Sequence, residues 1–496
     1  MSEARPANAP QAAGAGSERE AAHAGEAPPC EPPAPLRWPL EIAGVVLLAL
    51  LTWAWAPHPL ALDATDVTSS LIWGKQIADG DLPSYGAAFA LTPHPLHVAF
   101  AAVFAPFGDG TAESAMRALA FLSFGGLAWA LWRLGQACSS TAVGVLAALL
   151  VLTNPAELLG NGTVDLPFVA LIAWAAVLEA RRSRRGTPVL ALLALAGLLR
   201  PEAWLLAAAY AVWLAPRERR GQVKAAAWVA AAPLVWALGD LLVTGDPLHS
   251  LTHTRNVARE IGRRTGLSQT PGALVDGLRS LLRPAELAGG AAGLVLALRA
   301  PRGPLRVAAA PVVLGVAGFV ALGVAGLPLN ARYLLLPTAF LLVLAAHAAL
   351  GWLGRPAGSP RRVWAAGAAV LAILALAVVP REASKARDLR ADLRAQGVVQ
   401  RDLERLLHSD APALASCPAL AVADRTMLPL VARFSGSDLD DVVVAEDVAS
   451  DESVALVTPA GGVAAERFLP PGRRAAASGP ARPGDVGDWR IVGRGC

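Results

Sequence analysis

Long apolar runs separated by short polar segments cover most of the chain between residues 39 and 380. A helix that crosses a bilayer needs about 20 predominantly apolar residues. Several of the runs are shorter than this, and residues 188–215 fit either two tilted spans or a broken hairpin. The pattern predicts an α-helical polytopic membrane protein with about eleven transmembrane helices, at residues 39–56, 112–134, 140–153, 166–180, 188–199, 202–215, 222–243, 285–299, 307–327, 333–353 and 363–380.

The charges between these runs predict an orientation. Arginine-rich clusters fall on one side of the predicted map, at residues 181–185, 217–224, 299–306 and 355–362. Basic loops stay in the cytoplasm under the positive-inside rule, and the acidic loop 57–93 falls on the opposite side. We therefore expect a cytoplasmic N-terminus, a transmembrane domain over residues 37–380 with outer loops at 57–111 and 244–284, and an extracytoplasmic segment over residues 381–496.

Two short stretches in the first outer loop have a mixed polar and apolar character. They run from Val67 to Ala78 and from Pro95 to Phe107. Each is too short to span a bilayer. Both fit helices that lie in the interface between membrane and water.

The two ends of the chain differ from the middle. Residues 1–36 are rich in Ala, Pro, Glu and Gly without apolar periodicity, which predicts a disordered cytoplasmic tail. Residues 381–496 predict a small extracytoplasmic α/β domain, with a charged helix followed by short strands at 420–423, 442–444 and 454–457. Cys417 and Cys496 both lie in this domain, and disulfides persist outside the cytoplasm. We expect them to form a disulfide; two free buried thiols are the alternative.

Composition narrows the class of protein. Hydrophobic residues make up 54% of the 496 residues and charged residues only 17%, against about 25% charged residues in soluble domains. The net charge of +4 is small and dispersed, so nucleic acid is not an expected partner. Abundant Ala, Arg and Leu with few Lys indicate a GC-rich genome, so we expect the inner membrane of a bacterium. No phosphate-binding glycine loop, zinc-type Cys/His spacing or Ser/His/Asp elbow is convincing.

Two aspartates, Asp63 and Asp66, follow the first apolar run directly. Ionisable groups at a membrane surface usually have a function. The segment from Asp66 to Pro83 resembles the first outer loop of GT-C glycosyltransferases, including mannosyltransferase-like members. Further resemblances follow in chain order: Thr92-Pro93-His94-Pro95-Leu96, Asn161-Gly162-Thr163-Val164-Asp165, Leu199-Arg200-Pro201-Glu202-Ala203, Thr244-Gly245-Asp246-Pro247-Leu248, and Asn330-Ala331-Arg332-Tyr333-Leu334-Leu335-Leu336-Pro337.

The resemblance covers about residues 39–380 and implies an enzyme. Members of the family take a sugar from a polyprenyl-phosphate carrier and pass it, with inversion, to a glycan, lipid or protein acceptor. The resemblance implies Asp66 as general base. Asp63 is the second choice, with helix capping or a solvated surface position as its alternative. Many relatives have Asp-Glu where this chain has Asp66-Val67, so a divalent metal is possible but not predicted, and no cofactor is required.

The other motifs provide candidate substrate-binding residues. Asp165 is expected to orient hydroxyl groups or to cap a helix, and Arg332 to bind the donor phosphate or to anchor its helix at the interface. Tyr333 and His94 belong to the matching motifs. Arg200 and Glu202 form a candidate pair around a helix break, for which a structural role is the alternative. Arg255 and Arg259 lie four residues apart and fit either donor phosphate or lipid headgroups.

Two other classes of protein remain open. A transporter or lipid flippase would place its polar residues at the membrane midplane, often within internal repeats. Here the ionisable residues lie near the outer interface and no repeat is visible, which favours the enzyme. A non-catalytic GT-C-like envelope assembly protein would keep the membrane fold and use the outer domain for binding.

Overall fold

The computed structural model describes residues 36–56, 65–87, 92–154, 164–214, 218–260, 262–300, 303–409, 417–449, 452–477, 482, 484–494 and 496. Residues 37–496 form one compact unit. The predicted tail, up to residue 35, and the candidate base Asp63 lie outside the described residues.

Most of the described chain up to residue 409 is helical. Its α-helices are α1 (Trp38–Trp55), α2 (Asp66–Asp79), α3 (Pro95–Phe104), α4 (Asp109–Cys138), α5 (Thr141–Leu152), α6 (Asp165–Arg181), α7 (Thr187–Gly197), α8 (Glu202–Leu214), α9 (Arg219–Thr244), α10 (His249–Glu260), α11 (Thr270–Leu281), α12 (Pro284–Arg299), α13 (Leu305–Val324), α14 (Leu335–Leu350) and α15 (Ser359–Ser409). Short 3₁₀ helices at Ala105–Phe107, Ala331–Leu334 and Gly351–Gly354 extend α3 and flank α14.

A helix occurs at each of the predicted spans, but the helices differ in length. Six helical stretches among the described residues are long and apolar enough to cross a membrane: Trp38–Trp55, Asp109–Cys138, Arg219–Thr244, Leu305–Val324, Ala331–Gly354 and Ser359–Arg381. Helices α11 and α12 pass the same test only as a pair, which bends by 116°. The chain is a multi-pass membrane protein. Helices α5, α6, α7, α8 and α12 are shorter than a full span.

The centre of the bundle is formed by α4, α6 and α14. Most residues of α6 and α14 are buried, including Leu166, Phe340 and Leu344. Small residues bring the helices close together. A Cβ on Gly135 of α4 would lie 2.7 Å from the Cα of Gly144 on α5. This close backbone approach is typical of helices packed within a membrane.

Helix α15 joins the membrane bundle to the C-terminal part of the chain. It runs without a break through Pro380, so the predicted domain boundary at residue 380 falls inside one helix. Its apolar first half is exposed along the bundle surface. Leu403, Leu406 and Leu407 in its second half are fully or almost fully buried. The predicted membrane span and the predicted charged helix are therefore one element.

The C-terminal part contains a four-stranded sheet. Its elements are β1 (Ala419–Val422), α16 (Leu428–Ser435), β2 (Val442–Val444), β3 (Val454–Pro459), α17 (Gly462–Phe468), α18 (Pro471–Ala477) and β4 (Trp489–Arg494), with 3₁₀ helices at Arg425–Met427 and Leu439–Asp441. The strand order is β2-β1-β3-β4. Strands β2 and β3 are parallel to β1, whereas β4 is antiparallel to β3. The three predicted strands are present, and β4 is an addition.

A disulfide closes the C-terminal part. Cys417 lies before β1 and Cys496 follows β4, with Cα atoms 5.4 Å apart, and the two form the predicted pair. Trp489 of β4 is fully buried and donates a hydrogen bond from its indole nitrogen to the Val399 carbonyl, 2.7 Å away. The sheet is therefore attached to the second half of α15.

The C-terminal part packs against the first outer loop. Ile72, Trp73 and Tyr85 share one hydrophobic core with residues of α15, the sheet and α16. Arg433 pairs with Asp109 at 3.1 Å and Arg425 with Glu260 at 3.2 Å. The two predicted outer loops and the C-terminal part thus lie at the same end of the bundle. Helix α2, which we expected to lie in the interface, is largely buried, because α3 and α4 cover one side of it and the C-terminal part covers another.

Candidate functional site

Asp66 is the first residue of α2 and is buried there. A carboxylate is favourable at a helix N-terminus because the helix dipole is positive at that end. The Ser70 hydroxyl donates a hydrogen bond to the Asp66 carbonyl at 2.7 Å. That donation uses the hydroxyl proton, so His97 donates from Nδ1 to the Ser70 oxygen, at 3.0 Å. Helix α3 therefore holds the first turn of α2 in place.

Arg332 connects Asp66 to a second aspartate. It lies in the 3₁₀ helix that precedes α14, and its guanidinium forms a hydrogen-bonded ion pair with the Asp66 carboxylate. Its Nε lies 3.1 Å from an oxygen of Asp165, the first residue of α6. One guanidinium thus bridges the N-termini of two helices that are far apart in sequence.

Arg200 continues this chain of charges. It lies in the break between α7 and α8, where Pro201 interrupts the apolar run. Its guanidinium pairs with Asp165 and, at 2.7 Å, with Glu202. The guanidinium carbon also lies 4.4 Å from the centre of the Tyr333 ring, within cation–π range. A buried guanidinium is stable here because carboxylates and a ring face surround it.

His94 completes the cluster. It directly precedes α3 and is buried. Nδ1 lies 2.6 Å from the Leu199 carbonyl, which only accepts, so Nδ1 carries the proton in the neutral ring. Nε2 lies 3.9 Å from the Asp66 carboxylate. Burial, the largest influence, lowers the pKa of His94, with Arg332 and Arg200 also acting against the charged ring. His94 therefore presents an unprotonated nitrogen toward Asp66.

The protonation of Asp66 follows from two opposing influences. Burial is the largest and by itself would raise the pKa of this carboxyl. The charge of Arg332 is the largest opposing influence, and together with the hydrogen bond from Arg332 and the charge of Arg200 it accompanies a pKa lowered to about 2. Asp66 is therefore ionised, and Arg332 is what keeps it so.

The cluster can bind an anion and accept a proton at one place. A guanidinium matches phosphate oxygens with paired hydrogen bonds, and an ionised carboxylate can accept a proton from an attacking hydroxyl. Among the described residues, no group of three or more His, Cys, Asp or Glu side chains is arranged to hold a metal ion.

The structure brings together most of the predicted site residues. They are Asp66, Asp165, Arg332, Tyr333, Arg200, Glu202 and His94. Arg255 and Arg259 lie on α10. The Cδ of Arg255 lies 3.8 Å from where a Cβ of Gly326 would be, and Arg259 is exposed. Neither arginine has a described contact with the cluster.

Sequence reasoning missed Ser70 and His97, which hold the first turn of α2 in place and with it Asp66. Ser70 lies four residues after Asp66, and serine in a helix commonly donates back to the carbonyl four residues earlier. That spacing was a usable signal for Ser70. His97 had no such signal for its contact with Ser70, because α2 and α3 come together only in the folded chain.

No protein-family model and no curated protein matches the sequence. Solved structures do match by fold. ArnT from Cupriavidus metallidurans bound to undecaprenyl phosphate aligns with a TM-score of 0.51 and 14% identity, over 92% of this chain and 97% of that one.

The oligosaccharyltransferase AglB from Archaeoglobus fulgidus, in complex with an inhibitory peptide and a dolichol-phosphate, aligns with a TM-score of 0.47 and 13% identity. The alignment covers 80% of this chain and 64% of AglB. An oligosaccharyltransferase from Archaeoglobus fulgidus tethered to an acceptor peptide aligns with a TM-score of 0.46 and 12% identity, again over 64% of its length. This chain therefore spans less than two thirds of that enzyme. The likeness to ArnT, which extends over nearly the full length of both chains, shows that this protein shares the fold of that structure.

Proposed function

We propose that this protein is an inverting membrane glycosyltransferase. It takes one sugar, a hexose or a pentose, from a polyprenyl-phosphate donor and passes it to a glycan, lipid or protein acceptor of the cell envelope. The reaction takes place on the extracytoplasmic side of a bacterial inner membrane, with the N-terminus in the cytoplasm and the C-terminal part outside. The donor is a membrane lipid, so no nucleotide-binding domain is needed.

The observation that carries this proposal is the contact between Asp66 and Arg332. A glycosyl transfer from a phosphate needs a group that accepts a proton and a group that binds the departing phosphate. The two residues supply one group each, next to one another, in a fold shared with a structure that contains undecaprenyl phosphate. We propose that this chain takes the same kind of carrier.

The proposed chemistry is a single displacement. The acceptor hydroxyl attacks the anomeric carbon and gives its proton to the Asp66 carboxylate. The bond from the anomeric carbon to the phosphate oxygen breaks, and polyprenyl phosphate leaves with the electron pair. Arg332 stabilises the charge that develops on this phosphate. Because attack occurs opposite the leaving group, the configuration of the anomeric carbon inverts.

The remaining residues orient the substrates in this proposal. Asp165 and Glu202, both held by Arg200, present carboxylate oxygens that can accept hydrogen bonds from sugar hydroxyls. Tyr333 covers Arg200, and His94 faces Asp66. Asp63 stays the second candidate for the base. Arg255 and Arg259 are proposed to bind phosphates of the donor or of lipid headgroups.

The test compares two aspartates of the same helix. Asp66→Asn removes the proposed base, and Asp79→Asn removes an exposed carboxylate at the other end of α2. Sugar transfer by purified protein in vesicles should fall by roughly 10²–10⁴-fold in Asp66→Asn and stay near the parent rate in Asp79→Asn. Undiminished transfer by both Asp66→Asn and Asp63→Asn would show that the base is assigned wrongly.

A gene deletion can identify the donor and the acceptor in cells. Deletion of the gene should cause a polyprenyl-phosphate sugar to accumulate and should leave one envelope glycan, lipid or protein without a sugar. Plasmid-borne Asp66→Asn should reproduce that phenotype at normal protein level. Complementation by Asp66→Asn would instead indicate an assembly or transport role that needs no catalytic carboxylate.

A further inference from the structure

Arg332 is the member of the charged cluster that is most open to its surroundings. Its side chain is 24% exposed, whereas Asp66 is 8% and Asp165 1% exposed. Arg200 and Glu202 are also nearly covered. An anion that approaches the cluster therefore meets the side chain of Arg332 first. That same guanidinium is already bonded to Asp66 and lies beside Asp165.

Among the described residues of the cluster, the guanidinium groups do not outnumber the carboxylates. Asp66, Asp165 and Glu202 carry three negative charges, and Arg200 and Arg332 carry two positive charges, so with neutral His94 the sum is −1. A phosphate would add further negative charge to a largely buried site. Burying an unpaired charge is costly, so a phosphate that binds at this cluster is stabilised if it takes a cation from one of the carboxylates.

The three carboxylates differ in whether they would keep a neighbouring cation if Arg332 turned to a phosphate. Asp165 and Glu202 both pair with Arg200, so they keep a cation when Arg332 turns away. Asp66 has Arg332 as its hydrogen-bonded cation and otherwise faces His94, 3.9 Å away. Asp66 is therefore the carboxylate from which a phosphate can take a cation at the lowest cost.

We propose that Asp66 and the donor phosphate compete for Arg332, so that donor binding releases the Asp66 carboxylate. This inference rests on the proposed function and adds an order of events to it: the donor binds first, and only then does the Asp66 carboxylate become an active base. While Arg332 holds Asp66, the carboxylate is a weak base. When Arg332 turns to the phosphate, the nearby positive charge that offset the effect of burial on Asp66 is gone. The affinity of the Asp66 carboxylate for a proton then increases. Asp66 can then accept the proton of the acceptor hydroxyl only when the donor is bound.

The competition predicts that loss of the catalytic aspartate tightens binding of the lipid. The probe is undecaprenyl phosphate without a sugar, because it carries the phosphate but cannot react or contact the site through sugar hydroxyls. Binding to detergent-solubilised full-length protein is measured for the parent, Asp66→Asn, Arg332→Gln, the double variant and the charge control Asp79→Asn. We expect Asp66→Asn to bind roughly three- to tenfold more tightly, the gain from removing one competing ion pair. Arg332→Gln should bind more weakly, and Asp79→Asn should equal the parent.

The double variant separates competition from simple repulsion. If Asp66 acts through Arg332, Asp66→Asn gains nothing in the Arg332→Gln background, because no guanidinium remains to be released. If the gain persists there, Asp66 only repels the phosphate and the proposal is overturned. Unchanged or weaker binding by Asp66→Asn in the presence of Arg332 also overturns it.

A measurement on the parent protein covers the case in which a variant fails to fold. With ¹³C-labelled aspartate, infrared difference spectra should show that undecaprenyl phosphate increases the protonated carboxyl signal at mildly acidic pH. An unchanged signal contradicts the release of Asp66. A different result tests the proposed function. If Asp66→Asn transfers sugar at the parent rate, Asp66 is not the base, whatever the affinities for the lipid are.

Discussion

Gln76, in the last turn of α2, donates a hydrogen bond of 2.8 Å to Asp438 of the C-terminal part. Its amide oxygen accepts a bond from the Ser84 backbone nitrogen at 3.0 Å. Asp66 lies at the opposite end of the same helix. The C-terminal part therefore holds the helix that carries the proposed base.

We expect Gln76→Ala to reduce kcat for sugar transfer by roughly 10-fold, because small misplacements of a catalytic group reduce rates by up to about 10²-fold. KM for the donor should change little, since Arg332 and Arg200 lie on other elements. Steady-state kinetics at varied donor concentration checks both values. Lys75→Ala is the matched control, because Lys75 is exposed on the same helix. Equal losses in the two variants would argue against a positioning role.

The disulfide should contribute strongly to the stability of the C-terminal part. Cys417 and Cys496 are separated by 79 residues, and closing a loop of this size is worth about 4 kcal/mol in the chain-entropy model. The double variant Cys417→Ser/Cys496→Ser should therefore unfold at a lower temperature. Intrinsic tryptophan fluorescence suits this measurement because Trp489 is buried in the sheet. Cys138→Ser removes a free cysteine and should leave the transition unchanged. A Tm equal to that of the parent would contradict the pairing.

Close packing of α2 on α3 should not tolerate a methyl group at Gly74. A Cβ there would lie 2.6 Å from the Cβ of Ala101 and 2.7 Å from the backbone nitrogen of Ala102. Gly74→Ala should destabilise the protein by about 1–3 kcal/mol, as overpacking usually does, and lower the rate because α2 shifts. Thermal unfolding and the transfer assay measure the two effects. Gly110→Ala meets open space in α4 and should be neutral or slightly stabilising.

The ion pair of Asp66 should affect stability in acid. The pKa of this carboxyl is lowered from 3.8 to about 2 in the folded protein. The ionised carboxylate therefore stabilises the fold above about pH 4, and this contribution is lost as the pH falls through about 2. We expect the Tm difference between the parent and Asp66→Asn to be constant from pH 7 to about pH 4 and to shrink below that. A difference that shrinks already near neutral pH would show that Asp66 is not held by Arg332.

The order of helices was predictable because the free energy of transferring an apolar run into the membrane depends on the residues of that run alone. Residues 363–380 illustrate the limit of this reasoning. Hydropathy ends the span at Pro380, yet α15 continues to Ser409, and its last turns pack against the C-terminal part through Val399, Leu403 and Leu406. A similar limit applies to α2. Its Thr, Ser and Lys residues resemble an interfacial helix, but α3, α4 and the C-terminal part together cover it, and no local sequence pattern indicates this.

Sequence by itself determined the helical membrane class, the position of most helices and which ionisable residues deserve attention. Hydrophobic transfer and local backbone preferences act over a few turns, so they can be read from neighbouring residues. The tertiary structure decided that Asp66 meets Arg332, 266 residues away, and that Arg200 meets Asp165, 35 residues away. These partners depend on how the helices pack. For the same reason, only the folded chain shows that one guanidinium is shared between two carboxylates.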